Sequence, residues 1–446
     1  MRAVASLALA GALAGPLAPA ARGDEGGLSV GSYGRVVIGT DLRGGTPEQP
    51  RVVAHPPRVV EGSYLELDLY YDFDAVDGLA ARAVITPAVA GEPFHFTGQF
   101  DAAIALRNAY VEATLRDVAA VWVGSRNYRG DDIYLLDVWP LRDYNAIGGG
   151  ARWWRGPWRL SGHVGAHRLL DPFQHQLVEV PDPVVGSATI EQLDRQRLVA
   201  SVTPAYVGAR YKAELHADVH ALGAGRRRRS DNTIEELPDD TGWSVGAQVG
   251  TWGVAGASSH ANLFVRYARG LAAYDELDVP AGLGPDKRAR GASELALGLS
   301  AHADAAYGGA IAGALVRRFV DADGNADDND DGWEAVADVR PYAAWFRGSL
   351  QVAADLSVQR RWPRGVSPVR LEPVTPTILA VAPMIILSPA GARAFARPHL
   401  RLVYRAAHLD AGARDQYPVE DPRRRRAWVH FLGLQAEWWF HSSSYP

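Results

Sequence analysis

The feature that most constrains the fold is a period-two alternation of polar and apolar residues that recurs along the chain. In the segment 64–71, YLELDLYY, every second residue is polar or aromatic, and apolar residues stand between them. The same alternation returns at 395–402 and at 434–440. Alternate side chains of a β-strand project to opposite faces, so each segment predicts a strand with one polar and one apolar face. A soluble β-sandwich would alternate as well.

The connections between these strands have two classes of length. Short turns occur at 155–157, 251–253 and 347–348. Long polar segments occupy 170–192, 221–241, 270–290, 319–333 and 405–426. Short turns at one end and long loops at the other are typical of outer-membrane barrels.

We therefore predict an all-β fold, a transmembrane antiparallel β-barrel with short periplasmic turns and long extracellular loops. The predicted strands are about 18 in number and lie near 28–39, 58–73, 78–90, 104–116, 119–126, 147–155, 157–168, 195–204, 206–220, 241–251, 254–269, 290–302, 304–318, 334–346, 349–361, 377–388, 394–408 and 427–440. A membrane-spanning sheet must close, because an open edge leaves backbone groups unpaired in hydrocarbon. A barrel of this size encloses a lumen wide enough for an aqueous channel.

The N-terminus has the parts of a secretory signal peptide. Arg2 precedes an apolar stretch over 3–17, and Ala18-Pro19-Ala20 forms an A-x-A cleavage site. We predict a signal peptide over 1–21 and a single barrel domain over 22–446, exported to the outer membrane of a Gram-negative bacterium. The alternative for this segment is a disordered alanine-rich tail.

Composition excludes several classes of protein. The 46 Lys+Arg and 51 Asp+Glu nearly balance, which excludes a nucleic-acid binder that works through overall basicity. With no cysteine there is no disulfide, thiolate zinc site or cysteine nucleophile. No H-E-x-x-H, G-x-S-x-G or phosphate-binding loop is present. The adjacent acids Asp131 and Asp132 would point to opposite faces of a strand and could not flank one glycosidic bond. We predict that the protein is not an enzyme.

The polar face carries aromatic residues beside charges. Four such pairs, each two positions apart, are Tyr33 with Arg35, Tyr64 with Glu66, Phe395 with Arg397, and Trp439 with Glu437. Aromatic rings can stack on the apolar faces of sugars, and charged groups can replace the hydration of sugar hydroxyls. Each contact must be weak, because conduction requires release. For any single aromatic residue, lumen packing or a place in the interfacial girdle is the alternative.

Several spaced motifs, strongest over 28–140 and 394–440, resemble those of the maltoporin family of sugar-specific porins. They are GSYGR at 31–35, YLEL at 64–67, LRNAYV at 106–111, RNY at 126–128 followed by Asp131, Asp132 and Asp137, FARP at 395–398, and GLQAEWW at 433–439. They are similar to the family's G-Y-A-R, Y-A-E-L, F-R-E-A-N-V, R-F-Y…H-D…I-D, F-W-A-R-P and G-A-Q-M-E-I-W.

The resemblance implies a homotrimeric barrel with an inward-folded third loop, an aromatic slide and an ionic track beside it. The slide positions are Tyr33, Tyr64, Phe395, Trp439, His260 and Phe264. The track and constriction positions are Arg35, Arg58, Glu66, Arg107, Asp132, Asp137 and Trp139, the last in place of a constricting tyrosine.

The chain departs from the family pattern at several positions. His260 stands where the slide has a central aromatic, and Gly130 stands where the constriction loop has an arginine. A loop aromatic lent by a neighbouring subunit has no clear equivalent, although Phe96 and Phe100 are near its position. Residues 441–446 extend past Phe440, the last aromatic of the final strand.

An acidic loop over 321–334 resembles a calcium-binding loop in outline. Asp327, Asn329 and Asp331 take alternate positions, with Gly332 sixth and Asp338 twelfth, as oxygen ligands of a hard cation require. No cofactor is required by the predicted function, and a solvated acidic loop is the alternative. The arginine runs 226–229 and 423–426 could contact anionic lipopolysaccharide, or form solvated basic loops.

From these observations we predict an outer-membrane channel for passive diffusion of sugars, of the maltose or maltooligosaccharide type. Its expected partners are a carbohydrate substrate, membrane lipid with lipopolysaccharide, and two further copies of the chain, but not nucleic acid. The alternatives are a general porin and, from a different class, a secreted β-rich carbohydrate-binding protein or enzyme.

Overall fold

The computed structural model describes most of the chain beyond its first 25 residues. The described ranges are 26–92, 101–167, 175–182, 186–193, 195–228, 231–256, 258–274, 282–325, 329–367, 369–391 and 393–444. The segment 1–21, predicted as a signal peptide, lies outside them, as do Phe96 and Phe100.

The chain forms one closed antiparallel barrel of 18 strands. Its strands are β1 Gly27–Thr40, β2 Tyr64–Val76, β3 Leu79–Glu92, β4 Asp101–Leu115, β5 Ala119–Arg129, β6 Asp143–Arg155, β7 Trp158–His167, β10 Arg197–Val207, β11 Tyr211–Leu222, β14 Asp240–Trp252, β15 His260–Gly270, β16 Ser293–Ala305, β17 Gly308–Val320, β18 Gly332–Trp345, β19 Leu350–Pro363, β20 Thr377–Leu387, β21 His399–Leu409 and β22 Trp428–Phe440. Strand β1 pairs with both β2 and β22, which closes the sheet and confirms the predicted fold class.

Apart from a 3₁₀ turn over Phe346–Gly348 in a short connection, the remaining elements lie in the longer connections. They are the hairpins β8 His175–Asp182 with β9 Gly186–Leu193 and β12 Gly225–Arg228 with β13 Ile234–Leu237, the helix α1 Ala411–Asp415, and short 3₁₀ turns such as Tyr134–Leu136. The hairpins lie in segments that the sequence predicted as loops. No helix in the described ranges has the length and hydrophobicity needed to cross a membrane.

The two faces of the strands differ as the alternation predicts. In β2, Glu66 and Asp68 are fully buried, whereas Leu67 and Tyr71 are 41% and 47% exposed. Apolar side chains therefore cover the outer surface, and polar side chains line the lumen. One end of the barrel has short connections such as 156–157, where Gly156 supplies a left-handed φ of 58°.

Two long loops fold into the lumen. The first loop of the chain covers residues 41–63, so β2 begins at Tyr64 and not at residue 58 as predicted. Residues 58–63 belong to this loop, which bonds to the barrel wall: the Val52 amide donates to Gln359 Oε1 at 3.2 Å. The third, 130–142, crosses to the opposite wall, and Ile133 is fully buried there.

Apolar packing fixes the third loop. Ile133 belongs to a buried cluster with Phe264 and Leu315 of the wall. A Cβ added at Gly313 would lie 2.7 Å from Ile133 Cγ2, so the absence of a side chain leaves room for the loop. The expected inward fold of this loop is confirmed.

Candidate functional site

Two tyrosines of neighbouring strands begin the aromatic surface of the lumen. Tyr33 of β1 and Tyr64 of β2 have ring centroids 5.9 Å apart at a tilt of 49°. Tyr33 is buried, and Tyr64 is partly exposed. Tyr64 therefore presents the more open ring, while Tyr33 supports it from the wall.

A second group of rings surrounds Tyr134 of the third loop. The Tyr134 ring lies 5.2 Å from Phe395 and 6.3 Å from Trp439, both edge to face. Phe395 and Trp439 are partly exposed, and the Arg397 guanidinium covers one face of Trp439 at 3.9 Å. Trp439 is the β22 partner of Tyr33, so the two ring groups adjoin on the barrel wall.

Two histidines continue this surface, His260 at the position where the resemblance implies an aromatic and His302 beside it. The His260 ring is 6.1 Å from Phe395, and His302 is 5.5 Å from His260. His302 Nε2 in turn lies 2.8 Å from Asp304 Oδ1. Phe264 is different: it is 4% exposed and packs under Ile133. The structure thus joins His260 to the aromatic surface and places Phe264 beneath the third loop.

A carboxylate on β22 holds three arginines beside these rings. Glu437 Oε1 lies 3.0 Å from Arg58 Nη2, and Glu437 Oε2 lies 2.9 Å from Arg397 Nη2 and also contacts Arg401. The Tyr134 hydroxyl donates to Glu437 Oε2 at 2.9 Å and accepts from Arg397 at 2.5 Å. One negative charge therefore faces three guanidinium groups.

The ionic track follows the first and third loops. Arg35 Nη1 lies 2.9 Å from Glu61 Oε1 and 3.6 Å from Asp137 Oδ2. Arg58 bonds Glu61 Oε2 at 2.7 Å and approaches Asp137 at 3.8 Å. Burial raises the pKa of Glu61, and the guanidinium groups of Arg58 and Arg35 oppose that rise.

Arg107 and Glu66 form a separate pair beside Tyr64. Arg107 Nη1 is 2.8 Å from Glu66 Oε1 and donates to the Tyr64 hydroxyl at 2.6 Å. The Tyr64 hydroxyl donates to Glu66. The three side chains therefore fix one another's orientation.

Asp132 and Trp139 lie at the two ends of the third loop. Burial raises the pKa of Asp132 to about 7, although the Arg58 guanidinium lowers it, and the carboxylates of Asp137 and Asp131 add to the rise. Asp132 Oδ2 is buried without a hydrogen-bond partner. Trp139 is buried, with the Arg129 guanidinium 3.6 Å from its ring centroid.

The loops enclose a cavity of about 680 Å³ at the mouth of the barrel. Its lining includes Arg58, Glu61 and Asp137 of the track, with Tyr417 and Arg423 of the last long loop. The cavity therefore opens directly onto the charged pairs at the third loop.

The sequence reasoning missed several residues of this site. Tyr134, Arg401 and His302 were not among the predicted positions, and Glu437 and Arg397 were noted only as charges beside rings. Tyr134 lies between Asp132 and Asp137 in the loop expected to fold inward, and this position could have identified it.

Two of the three predicted calcium ligands are described. Asp331 Oδ1 accepts from the Asp321 amide at 2.7 Å, and Asp331 Oδ2 lies 3.4 Å from Arg364. The Asn329 side-chain oxygen is buried without a partner, and Asp327 lies outside the described residues. No group of three potential metal ligands occurs within the described ranges, and the calcium site stays a prediction.

Comparison with known proteins gives a family and a set of similar folds. A family model described as LamB porin matches residues 33–440. Among solved structures, the outer membrane channel DcaP of Acinetobacter baumannii matches with a TM-score of 0.47 and 12% identity, covering 95% of this chain and 100% of that chain. Pseudomonas aeruginosa OpdK with vanillate matches with a TM-score of 0.46 and 10% identity, covering 93% of this chain and 97% of that chain.

A trimer form of the outer membrane protein OmpT of Vibrio cholerae also matches, with a TM-score of 0.40 and 10% identity. The match covers 94% of this chain and 100% of that chain. No curated protein matches the chain.

Proposed function

The chain belongs to the LamB porin family, since the family model matches residues 33–440, and from this premise we propose that it conducts sugars selectively. It is an outer-membrane porin of the Gram-negative type, and its family and fold are those of a channel rather than an enzyme. The proposed substrates are sugars of the maltose or maltooligosaccharide type, which diffuse passively into the periplasm.

The observation that carries this proposal is the row of rings in the lumen, in which Tyr64, Trp439, Phe395 and His260 are partly exposed and the buried Tyr33 and Tyr134 connect them. Tyr64 contacts Tyr33, whose partner on β22 is Trp439. Tyr134 of the third loop contacts both Trp439 and Phe395, and Phe395 contacts His260. The C–H face of a pyranose can lie on such rings while its hydroxyl rim meets charged groups. The row thus offers a path of weak, repeated contacts.

The charges beside the rings suit hydroxyl groups. Arg58, Glu61 and Asp137 line the mouth cavity, and Arg35 pairs with Glu61 and Asp137 beside it. Charge-assisted hydrogen bonds from such groups would replace the water lost by a sugar. Because each arginine of the track is paired with a carboxylate, donors and acceptors stand side by side, and a sugar could exchange one bond for the next. Weak binding at several sites permits release as well as entry.

Liposome swelling with maltooligosaccharides tests this function. We expect faster swelling than with a solute of equal size that is not a sugar. Trp439→Ala should slow it by about fivefold, since a lost stacking contact costs on the order of 1 kcal/mol. Tyr307→Ala is the matched control, because Tyr307 lies in a short turn and is 83% exposed. Equal swelling by all solutes of one size would show a general porin.

We also propose that the protein is a homotrimer, as the family resemblance implies. Light scattering of detergent-solubilised protein, corrected for bound detergent, should give the mass of three chains. The mass of one chain would contradict this assembly.

Contact with lipopolysaccharide is proposed for the long loops. Within the arginine run 423–426, Arg423 pairs with Asp421 at 2.5 Å and Arg424 donates to the Tyr417 carbonyl at 2.8 Å. Arg425 is exposed and is the best placed of the four to meet a lipid phosphate.

A further inference from the structure

The residues that follow β22 turn back into the lumen. Ser442 is 1% exposed and Ser444 is buried as well. The Tyr70 hydroxyl donates to the His441 carbonyl at 2.9 Å, which fixes the point where the chain turns. We call residues 441–444 the tail segment.

The tail segment bonds first to Asp68 on the lumen face of β2. The Ser443 amide donates to Asp68 Oδ2 at 2.9 Å, and the Ser443 hydroxyl donates to Asp68 Oδ1 at 2.6 Å. Asn108 of β4 donates to the same hydroxyl at 3.2 Å. Ser443 is therefore held by both its backbone and its side chain.

The next residue bonds to a carboxylate of the predicted ionic track. The Ser444 hydroxyl donates to Glu66 Oε2 at 2.5 Å. Glu66 Oε1 is already paired with Arg107 at 2.8 Å. Both oxygens of Glu66 therefore have partners while the tail segment is in place.

The chemistry of these contacts is that of a bound sugar. Two hydroxyl groups, on Ser443 and Ser444, donate to two carboxylates that face the lumen beside Tyr64. A sugar hydroxyl would donate to the same oxygens in the same way, and a charged acceptor makes such bonds stronger than neutral ones. Sugar and tail segment cannot both occupy these positions.

We propose that the tail segment is an internal competitor that occupies the carboxylates of Glu66 and Asp68 and narrows the channel beside them. The claim that the tail segment competes with sugar rests on the proposed function. An occupant that holds a site for nine-tenths of the time weakens the apparent affinity of the ligand about tenfold. The tail segment thereby sets which sugars are long enough, or bind tightly enough, to displace it.

Two variants test the proposal in planar bilayers. The first is truncated after Phe440, and the second is the double substitution Ser443→Ala with Ser444→Ala, which keeps the length and removes both hydroxyl donors. His441→Asn is the control, because this side chain is exposed and Asn tolerates the left-handed φ of 45° found there.

Without sugar, ion conductance of the truncated protein should rise about twofold, because a constriction limits conduction. With maltohexaose, half-block should occur at about tenfold lower concentration in both variants, and His441→Asn should behave as the parent. Unchanged block in the double variant would overturn the proposal, whether or not the truncated protein folds.

The two claims fail in different ways. A truncated channel that conducts more ions but that no sugar blocks would support the place of the tail segment in the lumen and refute the sugar-selective function. A channel that sugar blocks equally with and without the tail segment would refute the competition alone.

Discussion

Tyr134 and Glu437 meet inside the barrel, where the Tyr134 hydroxyl donates to Glu437 Oε2 at 2.9 Å. Tyr134 belongs to the third loop and Glu437 to the last strand, so this bond ties the loop to the wall that carries the proposed slide. The same carboxylate holds Arg58 at 3.0 Å. The position of the Tyr134 ring and the position of the Arg58 guanidinium therefore both depend on Glu437.

Two substitutions of Tyr134 separate the contribution of its ring from that of its hydroxyl. Tyr134→Phe keeps the ring beside Phe395 and Trp439, so we expect sugar block to stay within about twofold, with a loss of about 1–3 kcal/mol in stability from the lost bond to a charged group. Tyr134 itself is buried, and Tyr134→Ala should weaken block by about fivefold, since Phe395 and Trp439 lose the ring that holds them edge to face. Bilayer titration and the temperature of the heat-induced gel shift measure these effects. Equal block by both variants would contradict the supporting role of the Tyr134 ring.

Neutralising Glu437 should change both stability and ion preference. Glu437→Gln removes the counter-charge that Arg58, Arg397 and Arg401 share. Arg58 keeps Glu61 as a partner, but breaking a buried ion pair by removing one partner costs on the order of 3–5 kcal/mol. The lumen becomes more positive, so the reversal potential in a KCl gradient should shift towards the chloride value. Asp117→Asn, on an exposed turn, is the control. A shift of the reversal potential towards the potassium value would contradict the placement of Glu437 in the conducting lumen.

Asp132 makes barrel stability depend on pH. Burial raises its pKa from 3.8 to about 7, so below pH 3.8 the carboxyl is protonated in both folded and unfolded chains. As pH rises from 3.8 to about 7, the unfolded chain ionises first, and the contribution of this group to folding stability is progressively lost. Asp132→Asn removes that loss.

The variant Asp132→Asn should therefore unfold at a higher temperature than the parent at pH 8 and at a similar temperature at pH 4. Unfolding followed by circular dichroism in detergent at both pH values measures the difference. Asp117→Asn, an exposed substitution of the same kind, is the control. A larger gain for Asp132→Asn at pH 4 than at pH 8 would contradict the assigned direction.

Packing of the third loop depends on Ile133. Ile133→Ala leaves a cavity against the wall at Phe264 and Leu315, and such substitutions cost about 2–5 kcal/mol. Because the loop is then held less firmly, we expect larger current noise and a higher mean conductance in bilayers. Val123→Ala, on the lipid face, is the control, since Val123 is exposed. Quiet channels with unchanged conductance would show that the loop is held elsewhere.

The architecture was predictable because strands leave a periodic signal. The alternation at 64–71 identified β2 and the faces of Glu66 and Leu67, and the same reasoning gave 18 strands. Loops leave no such period. The sequence therefore missed the burial of 41–63 in the lumen, which depends on distant bonds such as that from Val52 to Gln359.

The site was predictable only in part, for the same reason. Tyr33, Tyr64 and Trp439 lie on strands, and their common face follows from register. Tyr134 lies in a loop, whose path no periodic pattern predicts. His302 adjoins His260 because β15 and β16 pair in that register. Phe264 shares the face of His260, yet Ile133 covers it, because alternation says which way a side chain points and not what packs upon it.

Single-channel recording with linear maltooligosaccharides of increasing length tests the central claim most directly. The account predicts that current block saturates, and that half-block concentration falls with each added glucose until the chain spans the row from Tyr64 to His260. Channels that conduct ions and show the same weak response to every length would contradict a sugar-selective slide in this lumen.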